Sequence, residues 1–232
     1  MNKSVSEIYI LLVFSVLLIS CDNSKVEDID GRVYKTVKIG NQIWMTENLS
    51  VTKFRNGDPI NEAKTSSEFK EFCGQHKPAF VSYLSITKEK AYGKYYNWYA
   101  IKDPRGLAPE GWVIPSEQNW NELFEFIGGK SAAGAYLKSK TGWNDNGNGL
   151  DKYGFAMMPG GEVFTFYRDG LAFIDVGEYG YWWASDSTCI GISGKSDGIA
   201  YCEVPVSYFT FDYNSTYSEA GKTVRCIKNL GD

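Results

Sequence analysis

Histidine is nearly absent from this 232-residue chain, where His76 is the only one. A Ser-His-Asp or Cys-His triad would have to be assembled around that single imidazole. Its neighbours Gly74, Gln75, Lys77 and Pro78 read as a loop after a helix, which predicts a surface or structural histidine. No Gly-rich phosphate loop, His-Glu-x-x-His or Gly-x-Ser-x-Gly sequence occurs, so the common phosphate-binding, zinc-protease and hydrolase signatures are missing. Basic clusters are missing too. The net charge is −4, the pI is about 5.2, and no run of Lys or Arg appears, which leaves no footprint for a nucleic-acid backbone. The five cysteines include no Cys-x-x-Cys pair, which excludes a zinc ribbon. No segment recurs at a fixed period, so solenoids and propellers are excluded.

What is present begins with an apolar segment. Lys3 precedes a stretch from Ile8 to Ile19, followed by Ser20 and Cys21, the pattern of an export signal. Twelve helical residues reach roughly 18 Å, short of a hydrocarbon core of about 30 Å, so residues 1–20 are expected to be removed rather than kept as an anchor. Leu18-Ile19-Ser20-Cys21 resembles a bacterial lipobox, in which Cys21 is lipidated and becomes the new N-terminus; an ordinary signal with an incidental cysteine is the alternative. Two or three acyl chains would hold the protein to a membrane where one would not. Residues 21–29 are acidic and polar and read as a lipidated tether. They resemble the acidic export signals that follow the lipidated cysteine in Bacteroidetes lipoproteins. The expected location is the outer membrane, facing out.

Without Cys21, the cysteines are Cys73, Cys189, Cys202 and Cys226, an even number that in an oxidising compartment allows three pairings. Cys189 with Cys202 and Cys73 with Cys226 is the expected set, and free buried thiols are the alternative.

The remaining 30–232 stretch has the composition of a globular domain, with 43% hydrophobic and 16% aromatic residues over the whole chain. Tyr34–Ile39 and Gln42–Met45 alternate apolar and polar residues around Gly40-Asn41, a β-hairpin signal. Helices are predicted over Ser66–Cys73, from the Ser116 cap through Trp120, Leu123, Phe124 and Ile127 to Gly128-Gly129, and over Ala132–Lys138. After Tyr153 the chain reads as short strands, at Phe155–Met158, Val163–Tyr167, Tyr181–Ser185, Ile199–Val204, Tyr208–Tyr213 and Thr223–Ile227. Two amphipathic helices on an irregular, loop-rich antiparallel sheet, an α+β domain, are expected.

The sharpest polar cluster is Trp143-Asn144-Asp145-Asn146-Gly147-Asn148-Gly149-Leu150-Asp151. Ca²⁺ takes 6 to 8 oxygens, and Asp145 and Asp151 supply the only charges here. The segment is not an EF-hand, and a turn-rich loop that uses Asn, Asp and Gly for left-handed backbone is the competing reading. Trp143, Asn144, Asp145, Asn148 and Asp151 are the candidate ligand-binding residues, and Asp145 and Asp151 the candidate metal ligands. Aromatics concentrate at Tyr92–Tyr99 and Tyr179–Trp183, where an exposed subset would stack sugar rings. Alternation within Tyr95–Tyr99 turns at least half of that group inward. A glycan site would fall on loops around Asn144–Asp151 and between Ser185 and Asp197.

One family resemblance runs along nearly the whole domain. Asp30-Gly31, Tyr34–Val37, Ile39-Gly40 and Gln42–Leu49, with the run Trp44-Met45-Thr46-Glu47-Asn48-Leu49, open it. It continues through Tyr92–Ala100, Gly111–Ser116, Gly142–Asn144, Tyr153–Phe155, Pro159–Gly161, Tyr181–Ser185 and Val224–Cys226. These blocks resemble, in order, the Fibrobacter succinogenes major paralogous domain, a family of secreted or lipid-anchored proteins of Bacteroidetes and Fibrobacteres. The resemblance implies a fold like the C-type lectin domain. A related fold serves the formylglycine-generating enzymes, whose Trp-Arg-Leu-Pro-Thr motif resembles Trp112–Ser116. Fold does not fix function. The expectation is a non-catalytic surface lipoprotein recognising a glycan or protein ligand. A structural component of a surface assembly is the alternative, and an enzyme needing a reactive thiol comes third.

Overall fold

The computed structural model describes residues 25–83, 91–165, 171–186, 188–195, 199–203 and 220–229. The predicted export signal, Cys21 and the predicted strand at Tyr208–Tyr213 lie outside the described residues. In chain order the strands are β1 (Lys25–Glu27), β2 (Val33–Ile39), β3 (Gln42–Met45), β4 (Asn61–Glu62), β5 (Ala79–Val81), β6 (Tyr95–Tyr96) and β7 (Trp112–Val113). Then come β8 (Glu162–Phe164), β9 (Ala172–Ile174), β10 (Tyr179–Trp183), β11 (Thr188–Ser193), β12 (Ile199–Glu203) and β13 (Ile227–Lys228). The helices are α1 (Ser66–Gly74), α2 (Trp98–Lys102), α3 (Glu117–Phe126) and α4 (Lys130–Leu137). None of the described helices is long and apolar enough to cross a membrane.

The architecture is α+β, with four described helices rather than two and with several small sheets rather than one. The Gly40-Asn41 turn sets the β2–β3 register at Ile39↔Gln42, so Val37 faces Trp44. The largest sheet runs β1-β2-β3-β13-β7. Ile227 pairs with both Trp44 and Val113, so the last strand is wedged between an early hairpin and the middle of the chain. β10, β11 and β12 form an antiparallel meander, and β4-β5-β6 and β8-β9 are smaller sheets. Lys25–Glu27, inside the stretch read as a tether, is already sheet: Lys25 lies opposite Lys35 and Val26 opposite Tyr34.

Capping chemistry places the helices. Thr65 and Glu68 make a reciprocal capping box at α1, and Ser116 with Asn119 does the same at α3. Trp120, Leu123 and Phe124 turn the apolar face of α3 onto Trp44 and Phe155, with the Trp44 and Trp120 ring centroids 4.7 Å apart. At the other end of α1, His76 takes φ +56° and its ring stacks on Tyr99 at 4.9 Å, a helix-terminating structural role.

The structure departs from several sequence expectations. Alternation stops at Tyr96, because Asn97 caps a helix: its Oδ1 accepts from the Ala100 and Ala79 amides. Phe155–Met158 is not a strand. Ala156 sits at φ +53° and Met157 makes one isolated bridge to Lys138, because the Phe155 and Ala156 carbonyls turn inward to a buried guanidinium. The Thr223–Ile227 strand shrinks to Ile227–Lys228, preceded by single bridges from Gly221, Lys222 and Thr223 to three different partners. The expected long loop between Ser185 and Asp197 is largely β11.

Candidate functional site

The polar interior is built from the same blocks that carry the family resemblance. Arg225, 1% exposed, donates to Asn48 Oδ1 from Nε (3.0 Å) and Nη2 (2.8 Å) and to the Phe155 and Ala156 carbonyls. Trp182 Nε1 donates to the same Asn48 oxygen at 2.8 Å, while Asn48 Nδ2 donates to the Tyr92 carbonyl. Among the described residues no carboxylate forms an ion pair with Arg225. Burial pushes the guanidinium down to about 9, against the charges of Asp151 and Glu47. The Phe155 ring lies 4.7 Å beneath it. Gly93 seals the lock from behind: at φ +79°, a Cβ there would stand 2.7 Å from Leu49 O and 2.8 Å from Asn48 Cβ. Asn48, Trp182 and Arg225 fasten the fold and are buried.

A buried ion pair involves the same C-terminal segment. Lys222 and Glu162, 2% and 8% exposed, are joined by an ion pair. The Lys222 ammonium sits among the rings of Trp183 (5.1 Å), Tyr181 (5.5 Å) and Phe164 (5.8 Å). Tyr181 is half-buried and donates its hydroxyl to Asp175 Oδ2 at 3.1 Å. Burial, then the charges of Glu162 and Asp175, push its phenol well up. On the same side of β10, Tyr179 stacks on Tyr181, with centroids 5.9 Å apart and planes 5° from parallel. Gly180 and Trp182, which alternate with them, are buried. The result is an aromatic face, with Asp175 at one edge and a buried cation beneath one ring.

The Trp143–Asp151 loop abuts the turn that leads into this face. The Asn144 amide donates to the Gly177 carbonyl at 2.8 Å, and Gly194 N bonds Glu178 O. Gly147 packs so closely that a Cβ would lie 2.5 Å from Gly194 O. Much of the loop's polar capacity is engaged in holding its own backbone. Asn148 Oδ1 accepts from Trp143 N at 3.0 Å, Asp151 Oδ1 from Ala156 N at 2.8 Å, and Trp143 is buried with its indole N–H on Ser139 and Met157. Asp145 and Asn146 stand exposed at φ +53° and +61°, conformations that Asp and Asn tolerate. Among the described residues no group of three or more His, Cys, Asp or Glu is arranged to hold a metal ion.

The expected pairing of Cys73 with Cys226 is not made. Cys73 and Cys226 are both buried free thiols. Cys73 closes α1 against Ala79 and Val81, with Asn97 Nδ2 3.7 Å from its sulfur, whereas Cys226 lies in the separate cluster around Trp112 and Trp183. Burial pushes the Cys226 thiol well up. Cys189 and Cys202 stand directly opposite each other in the β11–β12 ladder.

An α+β domain whose signature blocks converge on one buried Asn–Arg–Trp lock defines a scaffold class before it defines a chemistry. Sequence comparison matches residues 37–228 to the Fibrobacter succinogenes major domain, and the chain belongs to that family. No curated protein and no solved structure matches it.

Sequence reasoning singled out the Trp143–Asp151 loop and the Tyr179–Trp183 aromatics, but not Asn48, Glu162, Asp175, Lys222 or Arg225. The available signal was a lone charge inside an apolar or glycine-flanked run, as in Gly161-Glu162-Val163, Gly221-Lys222-Thr223 and Val224-Arg225-Cys226.

Proposed function

We propose that the protein is a cell-surface lipoprotein, anchored through Cys21, whose lectin-like domain recognises a glycan or protein ligand without transforming it. The observation that carries this reading is the stacked Tyr179–Tyr181 face. All seven tryptophans of the chain are at most 7% exposed, which removes the strongest sugar-stacking groups and leaves the half-buried tyrosines for that task. Tyrosine offers a flat apolar ring with a polar rim, and Asp175, which accepts from the Tyr181 hydroxyl, adds a hydrogen-bonding group at its edge. Tyr179 and Tyr181 are held in the β10–β11 ladder, a rigid element of the kind that recognition surfaces require. The backbone duties of Asn148 and Asp151 favour binding that does not depend on calcium.

The thiols support the non-catalytic reading. A reactive cysteine needs exposure and a depressed pKa; Cys73, Cys189 and Cys226 are buried and the Cys226 thiol is pushed the opposite way. The second reading, a component of a surface assembly, is favoured by the same burial of every tryptophan, which marks the aromatic content as core. A glycan and polysaccharide screen of the chain from Asp22 onward, run with calcium and with a chelator, tests the glycan form of the first reading. Binding in both conditions supports the tyrosine face. Silence throughout favours a protein ligand or assembly.

A further inference from the structure

We infer that the outward face of the β1–β2 hairpin docks onto the headgroups of the membrane that carries the anchor; this rests on lipidation of Cys21. The first argument is length. Only four residue steps separate Cys21 from Lys25, the first residue of β1, and four steps extend no farther than about 14 Å. Because β1 is fixed to β2 by the Lys25↔Lys35 and Glu27↔Val33 pairs, the anchor pulls on the sheet edge itself. The domain cannot swing away as it would on a nine-residue tether of roughly 30 Å.

The second argument is chemistry. Lys25 and Lys35 are both exposed and directly opposite on one face, where like charges destabilise the strand pair unless an anion is shared between them. No ion pair engages either among the described residues. They border an open hollow of about 710 Å³ whose lining includes Lys25, Lys35, Thr36, Thr46, Glu47 and Tyr153, with hydroxyls and ammonium groups suited to a lipid phosphate. Glu47 is engaged by Arg32 at 3.2 Å. The far end of the same hairpin exposes Ile29 (48%) and Val33 (47%), apolar groups that an interfacial layer would cover. Of the exposed carboxylates on this hairpin, Asp30 is paired with Lys53, and the two lysines outweigh the remaining Glu27.

The test uses the full lipidated chain reconstituted into vesicles of phosphatidylcholine, with or without phosphatidylglycerol. Lysine acylation is followed by mass spectrometry, which also reads the mass of the Cys21 peptide. Lys25 and Lys35 should react about fivefold more slowly in the anionic vesicles, the ratio expected from one lysine's attraction to such a surface. Lys195 should be unchanged, and 1 M salt, where the Debye length is about 3 Å, should abolish the difference. Lys35→Gln, which removes the second ammonium without giving Lys25 a carboxylate partner, should return Lys25 towards its rate on neutral vesicles. Equal rates on a chain whose Cys21 carries diacylglycerol overturn the docking face and leave the anchor standing. Protection by inorganic phosphate alone overturns the membrane as its occupant. An unmodified Cys21 overturns both.

Discussion

Arg225 and Asn48, 177 residues apart, meet through two hydrogen bonds from one guanidinium to one carbonyl oxygen, at 2.8 and 3.0 Å. Trp182 adds a third donor to that oxygen. Four separated blocks of the family pattern, around Asn48, Phe155, Trp182 and Arg225, therefore meet at a single buried point. Their shared task is to close the fold.

Removing the acceptor should be costly. Asn48→Ala leaves three buried donors, two on the Arg225 guanidinium and the Trp182 indole N–H, without their acceptor, and a loss of about 3 to 5 kcal/mol is expected. Arg225→Met, which removes the charge itself, should cost less. Urea denaturation of both variants decides it, and equal, small losses would contradict the lock.

The Trp143–Asp151 loop should tolerate change at its exposed positions and not where its backbone is packed. Gly147→Ala forces a Cβ against the Gly194 backbone and should cost about 1 to 3 kcal/mol. Asn146→Gly, at φ +61°, should be near neutral, since glycine adopts that conformation freely. Thermal melts of the two variants give the comparison.

Thiol chemistry should report burial. Cys73 and Cys226 are expected to resist a thiol reagent in the native protein and to react once it is unfolded without reductant. If Cys189 and Cys202 are bonded, as their register favours, these two alone will react, and reductant will expose two more. Rapid native labelling would revive the reactive-thiol reading.

Alkaline pH should destabilise the fold. Burial raises the phenol pKa of Tyr34, Tyr95, Tyr96 and Tyr181 in the folded state. Above about pH 10 the unfolded chain therefore loses these protons first. The folded state then binds more protons than the unfolded, so stability is full below pH 10 and falls as pH rises towards the folded values. Tyrosinate absorbance of the native protein should stay below that of the unfolded chain until the transition.

The parts legible in the sequence were those fixed by local chemistry. Gly40-Asn41 dictated a hairpin and Ser116 a helix start, because turn and cap preferences depend on a few adjacent residues. Asn97 was hidden inside an aromatic run whose alternation resembled a strand, and its capping role depends on a backbone that bends after Tyr96. Lys25–Glu27 looked like tether because its charges are plain in the sequence, while the partner strand that orders it lies eight residues on. The Arg225 lock was illegible as geometry, since nothing local links a residue near the C-terminus to Asn48. The Tyr179–Trp183 aromatics were visible as a group. Which of them faced outward required the β10–β11 register.

The most direct test is ligand binding by Tyr179→Ala and Tyr181→Ala against the parent chain, on whichever glycan the screen returns, with and without a chelator. Tyr179→Ala should abolish most binding while leaving the melting temperature close to the parent's, and chelation should change neither protein. Full binding by both variants, or binding lost only on chelation, would contradict the tyrosine face as the recognition surface.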